Sequence, residues 1–491
     1  MAVLGIDLGT SGCKTVMVAA DGSILASATA EYPLSTPKPL WSEQDPADWW
    51  RGLVCSVKEV CAAQPDELIE GIGIGGQMHG ATLLDASDAV VRPAILWNDG
   101  RCQAECELLH ERVPNLIAET GNRALVGFTA PKLVWVQRHE PELWAQVKTV
   151  LLPKDYLRFL LTGEKVAEMS DGAGMLLMDV AKRTWSAAML DACGIDESYL
   201  GRLIEGSEVG GALTASAAEE LGLQAGIPVV GGAGDQAAGA VGAGCVKPGQ
   251  CTIALGTSGV VFTTTAAYTP EAEGRLHTFC HALPDTWHQM GVMLSAAGSL
   301  QWFRDTLAPG VDFGELCEGA GAAPIGSAGL TFLPYLTGER TPLCDPLARG
   351  ALIGLTRRHD RDHCARAVLE GIAIGLRASL DLIRSSGTEV TEATVTGGGT
   401  RSAVWMQIFA DVMNADMVLR EGADAGPALG GARLALVGAC GQSIDAACAP
   451  GPEVARFVPN PEAVAAYAPV IARFNGLYPA LADYFQAVGS E

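Results

Sequence analysis

The sequence predicts a two-domain α/β protein, and two features of the chain support this prediction. Its 491 residues exceed the size of one ordinary hydrophobic core, so two domains are expected. The residues Leu-Gly-Thr-Ser-Gly occur twice, at 8–12 and at 255–259, separated by about half of the chain. Each copy lies between two apolar runs and is therefore predicted to be a turn between strands. We place the domain boundary at residue 245, which gives domains over 1–245 and 246–491.

Composition limits the class of protein. A hydrophobic fraction of 48% and a mean hydropathy of +0.22 are typical of a folded globular enzyme. The formal net charge of −23 argues against nucleic-acid binding, which requires a basic surface. The chain enters a predicted strand at once and has no apolar run of membrane length, so we expect a cytoplasmic protein without a targeting segment or membrane contact. The fourteen cysteines include no Cys-x-x-Cys pair, and we interpret them as small buried side chains rather than zinc ligands.

The N-terminal elements follow from the residue pattern. Residues 2–7 form an apolar run typical of a buried strand, and 8–12 form a tight turn. Two further strands are predicted on either side of Asp21-Gly22, a dipeptide that favours a hairpin turn. The segment Gly-Thr-Ser-Gly-Cys-Lys-Thr looks like a P-loop, but a P-loop needs a helix after the turn. A strand is predicted here instead, so any phosphate would meet a β-hairpin.

The rest of the chain alternates between helices and strands, which is typical of an α/β architecture. In several places a strand is followed by a glycine turn and a helix, the arrangement that brings backbone close to a ligand. The predicted elements are a helix that starts at Pro46 after the N-cap Asp45, a strand over 71–76, a strand, glycine turn and helix over 226–244 and again over 393–413, and a helical tail from about residue 455.

The repeated turn predicts a polyphosphate site. Backbone N–H groups in such turns form anion-binding concavities, and two facing turns can hold one polyphosphate between the domains. Asp7 precedes the first turn, whereas Ala254 occupies the matching position before the second, so the turn itself does not require a carboxylate. A carboxylate beside phosphates suits Mg²⁺, which takes one or two carboxylates together with phosphate oxygens. The structural alternative is an aspartate that only caps the turn.

Two further positions suggest a bound hydroxyl compound. Asp235 lies where a glycine turn meets a helix, and a carboxylate there can accept a proton from an attacking hydroxyl. A helix N-cap is the structural alternative, although four small residues before it favour close approach of a ligand. Met78 and His79 follow the strand over 71–76, at a strand end where α/β proteins bind ligands.

These motifs resemble those of the FGGY carbohydrate kinases, a family with the actin-like ATPase (ribonuclease H-like) fold. "GIDLGTSG" and the second "LGTSG" are similar to its two phosphate hairpins. "FLPYLTGERTP" (332–342) resembles its C-terminal signature, and "GGGTRSAVWMQIFADV" (397–412) resembles its adenosine-side motif. Longer segments such as "GQMHGATLLD" and "FTAPKLVWVQRHEPE" resemble the members that phosphorylate D-xylulose. Met78-His79 stands where glycerol kinases are expected to have Arg-Glu, which argues against a glycerol substrate.

The resemblance implies ATP-dependent, Mg²⁺-assisted phosphorylation of D-xylulose to D-xylulose 5-phosphate, in a protein that can form a homodimer. It implies Asp235 as the general base and Asp7 as the metal-binding catalytic carboxylate. The implied sugar contacts are Met78, His79, Trp97, Asn98, Asp99 and Gln236. The implied nucleotide contacts are Gly9, Thr10, Ser11, Gly256, Thr257, Ser258, Gly397, Gly398, Gly399, Ala428 and Leu429. The alternatives are a kinase for another ketopentose or a polyol (L-ribulose, D-ribulose or arabinitol) and an actin-like ATPase that phosphorylates no sugar.

Overall fold

The structure, a computed structural model, describes residues 1–489 and contains two α/β halves. The strands, numbered in chain order, are β1 (Ala2–Leu8), β2 (Gly12–Ala19), β3 (Ile24–Glu31), β4 (Glu43–Gln44), β5 (Ile69–Gly76), β6 (Thr82–Leu84), β7 (Ala94–Ile95), β8 (Thr149–Leu151), β9 (Val166–Glu168), β10 (Met178–Asp179), β11 (Thr184–Trp185), β12 (Arg202–Ile204), β13 (Val209–Ala212), β14 (Pro228–Val230), β15 (Ala233–Gly234), β16 (Cys251–Leu255), β17 (Gly259–Thr265), β18 (His277–Cys280), β19 (Trp287–Met293), β20 (Thr331–Leu333), β21 (Ala351–Ile353), β22 (Glu392–Thr396), β23 (Asp416–Arg420) and β24 (Glu453–Phe457).

The helices surround two large sheets. They are α1 (Pro46–Ala63), α2 (Gln103–Arg112), α3 (Leu116–Thr120), α4 (Thr129–His139), α5 (Pro141–Trp144), α6 (Pro153–Thr162), α7 (Met169–Ala173), α8 (Ala187–Ala192), α9 (Ala215–Leu221), α10 (Asp235–Gly242), α11 (Ala297–Leu307), α12 (Phe313–Ala322), α13 (Arg361–Ser385), α14 (Ala403–Met413), α15 (Gly426–Gly438), α16 (Ile444–Ala447) and α17 (Pro461–Gly489). No helix within residues 1–489 is long and apolar enough to cross a membrane.

The first sheet is built around β1, as its apolar sequence predicts. Its strand order is β13-β14-β5-β1-β2-β3, with β15 added beside β5. β1 pairs antiparallel with β2 and parallel with β5. Helix α15 packs on β1 and β5, while α1 packs on β2 and β3. Because it is covered in this way, β1 is a nearly continuous apolar run rather than an alternating one.

The second sheet repeats the design of the first. Its strand order is β18-β19-β17-β16-β22-β23-β24. β16 pairs antiparallel with β17 and parallel with β22, as β1 does with β2 and β5. Each copy of Leu-Gly-Thr-Ser-Gly therefore joins the central strand of a sheet to its antiparallel neighbour. The predicted two-domain α/β class of actin-like type is confirmed, and the sequence repeat reflects a repeated architecture.

The two halves meet where α10 and α15 cross at close range. A Cβ added at Gly430 would lie 1.8 Å from the carbonyl oxygen of Ala238, and one at Gly242 would lie 2.5 Å from that of Gly426. Small residues are required on both helices because any side chain at these points would collide with backbone. Helix α15 belongs to the C-terminal half in sequence but packs on the first sheet. The domain boundary at residue 245 therefore stays a prediction.

Of the predictions for individual elements, the start of the first helix is confirmed and the start of the helical tail is wrong. The helix predicted at Pro46 starts there, and the carboxylate of Asp45 accepts a hydrogen bond from Ala47 N at 2.9 Å. The tail predicted to be helical from about residue 455 first forms β24, and its helix begins at Pro461. β24 pairs antiparallel with β23 at the sheet edge, so pairing with a distant strand outweighs the local preference of this segment. All fourteen cysteines are free, and nine are buried.

Candidate active site

The first turn presents its backbone N–H groups because other side chains engage its carbonyl groups. Tyr32 Oη donates to the carbonyl oxygen of Gly9 at 2.5 Å, and Gln44 Nε2 donates to that of Thr10 at 2.7 Å. Within residues 1–489 the N–H groups of Thr10 and Ser11 have no hydrogen-bond partner. A turn with satisfied carbonyls and free amides is suited to an anion.

The second turn is held in the same way, by the start of α11. Ala297 N donates to the carbonyl oxygen of Gly256 at 3.0 Å, and Ala296 N donates to that of Thr257 at 2.8 Å. Gly256, Thr257 and Ser258 are exposed. The two turns thus share a construction that engages their carbonyl groups and suits an anion.

Asp7 carries a buried carboxylate oxygen without a partner. Its Oδ1 accepts no hydrogen bond within residues 1–489. Burial, and then the negative charge of Asp235, raise the pKa of Asp7 to about 7, while Lys14 on the paired strand opposes this shift. An orphaned carboxylate oxygen close to a second carboxylate is relieved by a cation. The donor set therefore fits Mg²⁺, which binds one or two carboxylates and completes its sphere with water and phosphate oxygens.

Asp235 is the first residue of α10, and its carboxylate is not used as a helix cap. The N-cap position is occupied by Gly234, which makes no side-chain cap. The N-cap alternative considered for Asp235 is therefore wrong. The glycines before Asp235 also have another cause than ligand approach: a Cβ at Gly232 would lie 1.8 Å from the carbonyl oxygen of Ile74. Burial raises the pKa of Asp235 to about 6.

A cavity of about 280 Å³ lies between the two halves and contains Asp235. Its wall combines predicted and unpredicted side chains from both halves. The N-terminal half contributes Met78, His79, Trp97, Leu125, Gly127, Phe128, Asp235 and Gln236, and the C-terminal half contributes Ser258, Val260, Met290, Val292 and Arg340. The structure thus brings four of the six predicted sugar contacts (Met78, His79, Trp97 and Gln236) to the predicted base and the second phosphate turn.

His79 presents one ring nitrogen to this cavity as an acceptor. Its Nδ1 lies 2.6 Å from the carbonyl oxygen of Gly174, and since a carbonyl only accepts, Nδ1 carries the proton. Burial and nearby cations lower the pKa of His79 to about 3, so the ring is neutral and Nε2 accepts. The backbone of His79 is left-handed, with φ of 68°. Lys132 Nζ holds this conformation by donating to the carbonyl oxygens of His79 at 2.8 Å and of Gly127 at 2.7 Å.

Two predicted sugar contacts lie elsewhere. Asn98 is exposed on a separate surface near residues 36–42. Asp99 is fully buried, and its carboxylate accepts hydrogen bonds from Arg101 at 2.6 and 2.8 Å and from Ser42 N at 2.6 Å. The chain turns after Trp97, so the side chains of Asn98 and Asp99 lie in surroundings different from those of Trp97. The structure does not bring Asn98 or Asp99 to the cavity.

A second cavity, of about 660 Å³, lies beside the second phosphate turn. Gly398, Gly399 and Thr257, three of the predicted nucleotide contacts, line it. Gly397 holds the glycine turn against β16: its φ is 92°, and an added Cβ would lie 2.6 Å from the carbonyl oxygen of Leu255. Other lining residues come from α11 and α12, which the sequence analysis did not connect with a site; they include Gln301, Phe313 and Cys317. Trp405 of α14 also lines the cavity, and it lies in the segment 397–412 that resembles an adenosine-side motif.

The structure does not bring Ala428 and Leu429 to this cavity. Both are buried in α15, and a Cβ at Gly5 of β1 would lie 1.9 Å from the carbonyl oxygen of Ala428. Their surroundings are the first sheet and α10. The small size of Ala428 is explained by the close packing of α15 on these elements, which the sequence alone does not distinguish from close approach to a nucleotide.

A buried group of charges, here named the Lys154 cluster, supports the segment before Asp235. It comprises Lys154, Asp155, Arg158, Glu168 and Asp171, all with exposure of 1% or less. Lys154 Nζ lies 2.7 Å from Asp155 Oδ1 and 3.5 Å from both Glu168 Oε2 and Asp171 Oδ2.

Ser170 links this cluster to the base. Its Oγ donates to Glu168 Oε2 at 2.8 Å and accepts from Gly234 N at 3.1 Å. Gly234 immediately precedes Asp235, so the position of the base depends on the buried charges. Sequence analysis missed this cluster, although an alternation of Lys, Asp and Arg inside the apolar run of α6 was its signal.

Comparison with known proteins agrees with this geometry. Residues 2–242 match the N-terminal domain of the FGGY family of carbohydrate kinases, and residues 251–439 match the C-terminal domain of that family. The xylulose kinase of Escherichia coli is 46% identical over 476 residues, which cover 97% of this chain and 98% of that protein.

Solved structures give the same result. A kinase structure from Brucella ovis has a TM-score of 0.95 and 45% identity, covering 99% of this chain and all of the other. The xylulose kinase of Rhodospirillum rubrum has a TM-score of 0.92 and 32% identity, with 99% of this chain and 100% of that chain covered. The likeness therefore extends over both halves.

Proposed function

The chain belongs to the FGGY family of carbohydrate kinases, and we propose that it transfers the γ-phosphoryl group of ATP to O5 of D-xylulose, forming D-xylulose 5-phosphate and ADP. The observation that carries this proposal is the cavity in which Asp235 and His79 of one half face Ser258 of the other. One cavity thus contains a carboxylate that can act as a base, a histidine that can accept a hydrogen bond from a sugar hydroxyl, and a residue of the second turn. The choice of sugar is supported by a relative named xylulose kinase, which is 46% identical over 97% of this chain.

In this proposal Asp235 receives the proton of the attacking hydroxyl. With a pKa of about 6, the carboxyl group is about 90% ionised at pH 7 and can accept a proton from O5 as the phosphorus–oxygen bond forms. The free amides of the two turns hold the phosphate oxygens in line with O5. Asp7 is the side chain that would hold Mg²⁺, which when bound offsets negative charge on the phosphates.

The position of the cavity supports closure of the two halves around the sugar. Because both halves form the wall of the cavity, the set of sugar-binding and phosphate-binding residues is complete only when the halves approach each other. The close crossing of α10 and α15 is the point about which they would rotate. Closure excludes water, which would otherwise compete with O5 for the phosphoryl group.

A coupled ADP-release assay with a panel of sugars tests the proposed function. We expect D-xylulose to give the highest kcat/KM among D-xylulose, L-ribulose, D-ribulose and arabinitol, and to raise ADP release over the sugar-free rate by about two orders of magnitude or more. If another sugar gave a higher kcat/KM, the protein would still be a sugar kinase, but D-xylulose would not be its preferred substrate. ADP release that no sugar stimulates would contradict the proposal and favour an ATPase.

Gly398→Leu tests the cavity beside the second turn as the adenosine site. Gly398 lines the cavity and an added Cβ there meets no atom within 4 Å, so the added side chain starts from open space. We expect KM for ATP to rise about tenfold or more, because the nucleotide loses the space that leucine fills, while KM for D-xylulose is unchanged. Gly476→Leu, also in open space but in α17, is the matched control. An unchanged KM for ATP would place adenosine elsewhere.

A further inference from the structure

Arg340 places an unpaired cation on the wall of the sugar cavity. Its guanidinium forms neither a hydrogen bond nor an ion pair within the part of the chain that the structure describes, although it lines the same space as His79 and Asp235. Arginine is costly to leave unpaired in such surroundings, and burial lowers the pKa of Arg340. A cation that lines a cavity without a protein partner indicates a partner on the ligand.

The backbone around Arg340 is fixed to the cavity wall. Thr341 N donates to the carbonyl oxygen of Val292 at 3.0 Å, and Thr341 Oγ1 accepts from Val292 N at 3.1 Å. On the other side, Glu339 Oε1 accepts from Leu294 N at 3.0 Å. Both neighbours of Arg340 are thus tied to the end of β19, and Val292 itself lines the cavity. The backbone of Arg340 is therefore fixed to the cavity wall.

Arg340 lies toward the His79 end of the cavity. Its positive charge helps to lower the pKa of His79 and of His277, whereas the pKa of Asp235 is set by burial and by hydrogen bonds with Gln236. Asp235 and Arg340 line the same cavity, and in the proposal they contact different ends of the sugar. A sugar whose O5 lies at Asp235 directs its other end toward His79 and Arg340.

The chemistry of a 2-ketopentose specifies what that other end carries. When such a sugar closes on C2 into a five-membered ring, the ring oxygen is O5, so O5 is free to react only in the open-chain form. The open-chain form has a carbonyl oxygen on C2, which accepts hydrogen bonds and donates none. His79 Nε2 is itself an acceptor and cannot donate a hydrogen bond to this carbonyl oxygen. Trp97 Nε1 already donates to Thr10 Oγ1 at 2.9 Å.

We propose that Arg340 donates a hydrogen bond to the C2 carbonyl oxygen of the open-chain ketose and so selects the keto form whose O5 is free. This inference rests on the proposed function and names a specificity determinant that the C-terminal half contributes. His79 accepts from a neighbouring sugar hydroxyl, and Arg340 supplies the complementary donor. Because the two side chains come from different halves, a sugar with a carbonyl at C2 bridges them.

Replacement of Arg340 combined with a change in the substrate tests the contact. We compare wild type with Arg340→Met and Arg340→Lys, and the substrates are D-xylulose and the pentitol of the same C3 and C4 configuration with a methylene at C2. Arg340→Met is expected to lower kcat/KM for D-xylulose by about 10- to 100-fold, because a hydrogen bond from a charged donor is lost. The methylene analogue is expected to be unaffected, and Arg340→Lys is expected to recover part of the loss. Arg361→Met, an exposed arginine of α13, is the control.

The outcomes separate this contact from the proposed function. If Arg340→Met lowered kcat/KM equally for both substrates, the role of Arg340 would be structural. If it did not lower kcat/KM for D-xylulose, Arg340 would not contact the sugar. Either result overturns the inference. A preference for a sugar acid that disappears in Arg340→Met would also overturn it, because the guanidinium would then bind a carboxylate. If wild type fails on D-xylulose itself, the proposed function fails before Arg340 is tested.

Discussion

Asp235→Asn is expected to lower kcat by about 10²- to 10⁴-fold, the usual contribution of a general base, with little change in KM for ATP. The amide keeps the shape of the side chain but cannot accept the proton of O5. Wild-type kcat/KM is expected to fall as the pH drops through about 6, because protonation then removes the acceptor. The variant is expected to lose this limb of the profile. Steady-state kinetics between pH 5 and 8 measure both effects.

Thermal unfolding distinguishes a catalytic loss from a folding defect in this variant. Because the folded pKa of Asp235 is raised from the ordinary 3.8 to about 6, ionisation of its carboxyl group destabilises the folded state. This penalty is absent at low pH, grows between about pH 4 and pH 6, and is complete above about pH 6. Asparagine carries no charge to bury, and the variant is therefore expected to unfold at pH 8 no earlier than wild type. Asp48→Asn, in the first turn of α1, is the matched control with normal kcat. Retained activity in Asp235→Asn would exclude the carboxylate as the base.

Lys154→Met is expected to destabilise the protein by about 3–5 kcal/mol, the cost of leaving buried carboxylates without their cation. Lys154 is 0% exposed and lies within 3.5 Å of three carboxylates, and only Arg158 would remain to neutralise them. The free energy of the first unfolding transition in urea measures this loss. We also expect a lower kcat in the folded fraction, since the hydrogen bond from Gly234 N to Ser170 anchors the residue before Asp235.

Lys165→Met is the matched control for this substitution. Lys165 forms an ion pair with Asp88 at the surface, where both side chains are more than a third exposed. Such pairs contribute at most about 1 kcal/mol, so the control is expected to stay near wild-type stability. If Lys154→Met were equally stable, the carboxyl groups of the Lys154 cluster would be protonated and would need no cation. Burial does raise the pKa of Asp171 well above its usual range, but Asp155 still pairs directly with two cations.

The predicted site residues fall into two groups. One group lines the cavity between the halves and lies beside the ends of strands: Met78, His79, Trp97, Asp235, Gln236 and Ser258. Those placed by proximity in sequence to another motif do not, since Asp99 pairs with Arg101 and Ala428 packs on β1. Strand and turn geometry is local and can be predicted, whereas the direction of a side chain one residue past a strand depends on what packs there.

The sequence by itself determined the repeat of strand, turn and strand, the α/β class, and the carboxylate present beside only one of the two turns. These features depend on apolar periodicity, glycine and short-range turn chemistry, which act over a few residues. Only the tertiary structure decided that Arg340 faces His79, that Lys154 is buried among three carboxylates, and that Phe313 and Gln301 line the cavity beside the second turn. These contacts join residues far apart in the chain, and their formation depends on how two sheets and the crossing helices α10 and α15 pack together.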